Sequence, residues 1–526
     1  MASARQCARS RPRGRETQVT GLCKSAKRLF AHFSQAQFVI AREVFGQILG
    51  IVFLCAFISI AIQIVALFGT RGIMPVARFL PMAREQLGAA AYWHVPTLCW
   101  FNNDDLWLII QAACGILCSV AILLRIAPGA AAGLCWVLYL SICAVGSPFL
   151  DFQWDALLLE TAFLAVFFLP WSLRNSGRRM NCASPVASMA RLLLWWLLFR
   201  LIFESGVVKL ASGDPTWRAG TALAFHFETQ PLPLWTAWYA HQLPSWLLRA
   251  FTWSMFAIEL VTPWLILGPR RFRHAAAWAI IALQLMILST GNYAFFNLLT
   301  IALCVLLFED AAWPGRLRAG RIAPENSERT EQNRWSARTV LFAVVAMSIG
   351  ALTFSALIGT FGVARPLQRL HAALAPLRSF NAYGLFAVMT TSRPEIVIEG
   401  SDDGRVWREY HFRWKPGDLR KRPRLVAPHQ PRLDWQMWFA ALGDVRSNPW
   451  FVNLLARLLD GSPEVAALLD ENPFANKPPQ FVRALLYDYR FTRRDSNAGA
   501  AWWTRKPLGM YCPPLSLKRP GLPVTE

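Results

Sequence analysis

The chain has 526 residues, 55% hydrophobic and only 16% charged, with a mean hydropathy of +0.31 and a formal net charge of +22. A soluble domain usually carries about 25% charged residues, so an ordinary soluble enzyme is excluded; 24 Trp and 13% aromatics exclude a disordered chain. Eleven Cys, sparse and odd in number, exclude a disulfide scaffold and leave a polytopic membrane protein with at least one sizeable polar domain.

In chain order, residues 1–43 form a basic segment expected in the cytoplasm, with Arg5, Arg9, Arg11, Arg13 and Arg15 at its start. The first apolar run, Val44–Phe68, is too long for a signal-peptide core and reads as an uncleaved anchor. Further apolar runs follow at 106–124, 131–147, 156–171, 191–210, 248–267, 275–290, 293–308 and 339–361. Each approaches the roughly 20 residues that a helix needs to cross hydrocarbon. The pair 275–308 reads either as a hairpin around Gly291-Asn292 or as one span with a re-entrant piece. The expected fold is therefore a polytopic α-helical membrane domain over 44–361, with about nine spans and a range of eight to ten.

Charge orders the spans. Arg125, then Arg174, Arg178 and Arg179, then Arg270, Arg271 and Arg273, then Arg316 to Arg338 fall in alternate loops, which places those loops inside. Loops 69–105, 148–155, 211–247 and 291–292 fall outside, and an odd number of spans exports the C-terminal region. The basic balance thus serves topology, and no nucleic-acid motif interrupts it.

Residues 364–526 read as a small exported α+β domain. Glu395–Gly400 alternates as a strand, Ser401-Asp402-Asp403-Gly404 signals a turn, and Arg405–Trp414 alternates again, which predicts a β-hairpin over 395–414. Helical spacing follows at 432–442, 449–459 and 463–470, and Phe481–Phe491 is a closing strand.

Cys99 and Cys512 are the two cysteines expected outside; a disulfide between them and two unpaired thiols are both open readings. The eight His show no HxxH or HxxxH spacing, and no P-loop, GxGxxG, GxSxG or zinc pattern occurs, so neither a cofactor nor a metal is called for.

Charge inside a bilayer is costly, so each polar residue in a span is a candidate. Arg200 and Glu204 lie one turn apart on one helix face, where an ion pair between them is one reading. Lys209, near the outer end of that helix, is either a snorkelling lysine or a base. Asp151, Asp155 and Glu160 surround the start of the fourth span. Glu259 and Gln284 are lone polar residues, explained by interhelical hydrogen bonding.

Several stretches carry a resemblance. NAYGLF (Asn381–Phe386), IVIEGSDDG (Ile396–Gly404), WKPGD (Trp414–Asp418), KRP (Lys421–Pro423), RLDWQMWFAAL (Arg432–Leu442), NPF (Asn472–Phe474) and PPQFVRALLYDYRFT (Pro478–Thr492) resemble the C-terminal domain of the lipase maturation factor family. SPFLDFQWDALLLE (Ser147–Glu160) fits the family's membrane half, and the resemblance covers roughly residues 40–515. It implies a non-enzymatic, chaperone-like membrane factor that helps exported lipases or other hydrolases mature. The eukaryotic members work in the ER. The Arg-heavy, Lys-poor usage here points to a bacterium, with the C-terminal domain in the periplasm. The client-binding candidates are Arg432, Asp434, Trp435, Trp438 and Tyr383; the oligomeric state is open.

A second stretch, FESGVVKLASGDPTWRAG (Phe203–Gly220), is similar to a segment of the vitamin K-dependent carboxylase group. There the lysine matching Lys209 is the base, and Trp217 and Gly220 also match. This resemblance implies shared membrane architecture. It also supplies the alternative function, a membrane enzyme acting through Lys209 on a quinone- or lipid-like substrate.

Overall fold

The structure is a computed structural model and describes residues 38–173, 185–318, 337–362, 366–494 and 501–517. Most of the basic N-terminal segment, and the loops carrying Arg174 to Arg179 and Arg321 to Arg334, lie outside the described residues.

All nine apolar runs are helical at their cores: α1 (Val39–Ala61), α2 (Asp105–Leu123), α3 (Pro128–Val145), α4 (Gln153–Phe168), α5 (Pro185–Ala211), α6 (Ser245–Ile266), α7 (Arg270–Thr290), α8 (Phe296–Val305) and α9 (Ala337–Gly359). Six of them, α1, α2, α3, α5, α7 and α9, are long and apolar enough to cross a membrane. Among the described residues, length and composition thus support six spans, and the expectation of about nine is not confirmed. At 1.5 Å per residue, the 16 residues of α4 and the 10 of α8 fall short of a roughly 30 Å hydrocarbon core. Helix α6 carries Arg249, Glu259 and Pro263. Helix α4 misleads because its apolar residues, Leu157, Leu158, Leu159, Ala162 and Leu164 among them, are buried by other helices. An apolar run covered by protein looks the same in sequence as one covered by lipid.

Successive helices alternate in direction, which sorts the charges. One end holds Arg42, Glu43, Arg125, Arg191, Arg270, Arg273, Glu309 and Asp310. There the Asp310 carboxylate receives the first backbone N–H groups of α1, from Val39 at 3.0 Å and Ile40 at 2.8 Å, and Glu309 pairs with Arg273. The opposite end gathers the connections after α1, α3, α5 and α7, and the C-terminal region packs there.

That region contains a four-stranded antiparallel sheet of order β2-β1-β5-β6, with β1 Pro394–Ser401, β2 Arg408–Glu409, β5 Phe481–Phe491 and β6 Trp503–Leu515. A separate ladder joins β3 (His411–Phe412) to β4 (Leu469–Glu471). The expected hairpin forms, turned at Asp403, whose carboxylate accepts from Arg405 N at 2.8 Å and Val406 N at 2.9 Å. Its second arm is cut to two residues, because His411 and Phe412 leave for β4. Sequence reading missed β6, whose Pro507, Pro513 and Pro514 argue against a strand; it lies at the sheet edge, where missing N–H donors are tolerated. Helices α10 (Arg432–Ala441) and α11 (Pro449–Leu459) complete the region. One apolar core runs without a break from α1 to β6. Trp154 of α4 meets Trp435 of α10 edge-to-face at 4.8 Å, and Phe149 meets Trp450 of α11 at 5.3 Å.

Candidate functional site

Asp155, Glu160, Arg200 and Glu204 of the spans meet Tyr383 and Arg432 of the C-terminal region in one seam. Arg432 begins α10 and is fully buried. Its guanidinium forks onto Asp155 of α4 at 2.6 and 2.8 Å and also donates to Phe149 O at 3.1 Å. Tyr139 of α3 donates to the same carboxylate at 2.5 Å. Next to it, the 429–432 backbone is clamped by the end of α1. Gln63 accepts from Arg432 N at 2.8 Å and donates to Gln430 O at 2.9 Å, while Ser59 Oγ accepts from Gln430 N at 2.9 Å. A polar residue such as Gln63 inside an apolar run was the available signal, and it went unread.

The second cluster corrects the Arg200–Glu204 pairing. Arg200 forms its ion pair with Glu160 of α4 and donates to Asn381 O at 2.7 Å. Glu160 also accepts from Tyr383 Oη at 2.7 Å and from Asn381 N at 3.1 Å. Glu204 accepts from Tyr383 N at 2.5 Å. The two carboxylates thus order the backbone at 381–383, where the chain enters the C-terminal region. Gly384 lies so close to α5 that a Cβ there would fall 2.7 Å from Val208 Cγ2. Asp151 pairs with Arg378 at 2.8 Å, near the exposed rim.

A third group was not foreseen. Arg393 is buried against Glu395, which also pairs with Lys415 at 2.9 Å, and donates to the backbone of the 228–231 turn. Glu228 accepts from Phe491 N at 2.7 Å and pairs with Arg490. The alternation of EIVIEG is real, but its polar face is covered too, because Arg393 and Lys415 accompany Glu395 inward.

Lys209 is held by both oxygens of Glu259, at 2.7 and 2.8 Å, with the Trp217 ring 5.5 Å away. The lone Glu259 of the sequence thus has an ion partner, and Gln284 has Asn297 at 2.9 Å. A structural pair of this kind is removable as a unit. The double variant Lys209→Met/Glu259→Leu is expected to keep near-parental thermal stability in detergent, with each single variant less stable than the double. A double variant that loses as much as the two singles together would count against this.

The client-binding candidates need exposure, whereas the i, i+3 spacing of Trp435 and Trp438 also reads as core packing and Tyr383 also reads as ordering the junction between membrane and C-terminal region. Arg432, Asp434, Trp435, Trp438 and Tyr383 are all buried, Trp438 donating to Thr229 O at 2.9 Å. Asp434 instead accepts from Trp414 N and Lys415 N, both at 2.9 Å, and so closes the loop before α10. Cys99 and Cys512 are buried free thiols; Cys99 accepts from Gln111 at 3.3 Å, and Cys512 pairs in the sheet opposite Ala484. Among the described residues no group of His, Cys, Asp and Glu could hold a metal. Each of the seam carboxylates Asp155, Glu160, Glu204, Glu228 and Glu395 has at least one donor or cationic partner, and what the seam can do is hold one arrangement.

Two titrations in the seam oppose each other. Burial pushes the Asp434 carboxyl up to about 6, against the two backbone donors that pull it down. Burial, then the charges of Arg432 and Arg413, pushes the His429 imidazole down to about 4. The folded chain therefore holds the Asp434 proton more tightly than the unfolded chain does, and stability from this group falls as pH rises from about 4 to 6. The folded chain holds the His429 proton less tightly, so stability from that group is lost as pH falls from about 6.5 to 4. In Asp434→Asn only the histidine slope survives. Its stability relative to the parent is expected to rise by about 2–3 kcal/mol between roughly pH 4 and 6. Thermal unfolding in detergent at the two pH values reads this, and a pH-independent difference would contradict it.

With this geometry in hand, comparison with known proteins is specific. Residues 40–315 match the family model of the lipase maturation factor transmembrane domain, and residues 379–513 match that of the lipase maturation factor C-terminal domain. The chain belongs to the lipase maturation factor family. Lipase maturation factor 2 of Homo sapiens is 35% identical over 597 aligned positions, covering 91% of this chain and 83% of the human protein. Lipase maturation factor 1 of Bos taurus is 32% identical, covering 92% of this chain and 91% of the bovine protein. No solved structure matches the chain. The family is one of maturation factors, not of enzymes, and this member is an integral membrane protein. The seam joins the family's two domains: Asp155, Glu160, Arg200 and Glu204 lie in the first, and Tyr383, Arg393 and Arg432 in the second.

Proposed function

We propose that this protein is a membrane-anchored maturation factor for exported hydrolases, lipases in the first instance. Its C-terminal region, within 364–526, acts as a platform on the exported side. That side would be the periplasm in a bacterium and the ER lumen in a eukaryote. The observation that carries the reading is the seam. The C-terminal region is tied to the helix ends opposite the Arg-rich end by the Arg432–Asp155 pair and by the bonds of Asn381 and Tyr383 to Arg200, Glu160 and Glu204. By the charge rule the Arg-rich end belongs in the cytoplasm. A rigid platform on the far side suits a factor that meets its client after translocation. The client then uses the outer surface, since the aromatic and charged residues first considered for it are turned inward.

The test compares a deletion strain with its parent, each secreted hydrolase being measured by mass and by specific activity. One or more lipases or esterases are expected to be present but inactive, or degraded after export. A secretome unchanged in both mass and specific activity would overturn the proposal.

A further inference from the structure

The loop between β3 and α10 carries charge that the seam does not use. Lys415 is buried on Glu395 and Lys421 pairs with Asp470 at 2.5 Å. Arg413 gives its Nε to Leu469 O at 2.9 Å and is otherwise exposed. Arg420, Arg422 and Arg424 are exposed, and no carboxylate among the described residues lies within ion-pair distance of them. Asp418 turns back to cap its own loop, accepting from Arg420 N at 2.9 Å. Arg413, Lys421, Arg422 and Arg424 share one groove with Asp418 and Pro233.

The groove's position is as informative as its charge. Asn292, just past the end of α7, accepts from Val426 N at 2.8 Å and donates to Arg424 O at 2.9 Å. Arg422 stacks over Trp235 with its guanidinium carbon 5.7 Å from the ring. The short helix Trp235–His241 is fastened to the end of α7 by Leu234 N to Thr290 O at 3.3 Å. One turn below Thr290, Leu285 and Met286 are 51% and 49% exposed on a spanning helix, which is a lipid-facing pattern. Leu425, beside Arg424, is 59% exposed. Arginines with an exposed leucine and a half-exposed tryptophan, fixed where a span leaves the hydrocarbon, match the chemistry of the headgroup layer.

We propose that this groove binds the phosphate of an anionic phospholipid in the leaflet beneath the C-terminal region, with Arg422 and Arg424 as its principal ligands. The lipid would fasten the 413–425 loop to the membrane surface, independently of what client the protein serves.

The full chain, purified in a neutral detergent, is titrated with dioleoyl-phosphatidylglycerol or dioleoyl-phosphatidylcholine and read by native mass spectrometry. The parent is expected to retain phosphatidylglycerol in preference to phosphatidylcholine. Arg422→Ala/Arg424→Ala should weaken phosphatidylglycerol binding about 30-fold, since each basic residue near an anionic surface contributes about fivefold. Arg422→Lys/Arg424→Lys should recover most of it, and Arg408→Ala, remote on β2, should change nothing. Equal retention by the parent and the double alanine variant would overturn the proposal. Equal affinity for the two lipids would do the same, as would displacement of phosphatidylglycerol by millimolar inorganic phosphate, which would assign the groove to a free anion.

Discussion

Replacing Arg432 with alanine is expected to cost about 3–5 kcal/mol, enough to consume much of the stability of a typical domain. The residue is fully buried and its guanidinium makes two bonds to Asp155, at 2.6 and 2.8 Å. Truncation leaves that carboxylate, itself 0% exposed, with Tyr139 as its remaining side-chain donor. The expected result is a sharp fall in thermal stability, with limited proteolysis cutting first between 378 and 517. Asp155→Asn should behave similarly. Arg432→Met/Asp155→Leu should be milder than either single charge removal, because no uncompensated ion remains. A double variant as unstable as the sum of the singles would deny the pair its role.

Glu160→Leu is expected to produce the second large effect, again about 3–5 kcal/mol. Glu160 is the point on which Arg200, Tyr383 and Asn381 converge. Its removal strands a buried guanidinium and frees the 381–383 backbone. Client maturation should be lost while the spans remain inserted, since the lesion lies at the junction and not in the apolar packing. Insertion is read by alkaline extraction and maturation by lipase specific activity. Full activity from a stably inserted Glu160→Leu protein would show that the junction need not be ordered.

The membrane class, the helix positions and the hairpin turn are local properties, and hydropathy, spacing and turn chemistry carry them. Asp155, Glu160, Arg200, Glu204, Tyr383 and Arg432, singled out by residue type, all fall in the seam. Partnership was not legible. Asp155 and Arg432 stand 277 residues apart, and an i, i+4 spacing made Glu204 the obvious partner for Arg200 when Glu160 holds it. A buried tryptophan facing another helix, such as Trp435, has the same signature as an exposed one awaiting a client. Arg393 and Glu228 escaped notice because each sits beside a turn, where charge ordinarily meets water.

The shared core has a consequence for how the protein must be made. Asp155, Glu160 and Glu204 are synthesised well before their partners at 381–432. At 5–20 residues per second, about 15–55 s separate Asp155 from Arg432 on the ribosome. Glu160 meets Arg200 early, but throughout that interval the buried Asp155 waits for its guanidinium. The Asp155–Arg432 contact therefore forms only after the C-terminal region has been made, and that contact completes the polar end of the bundle. A chain that stops short of residue 432 is left as a set of spans with a charged and unsealed interior, which a membrane protease can recognise.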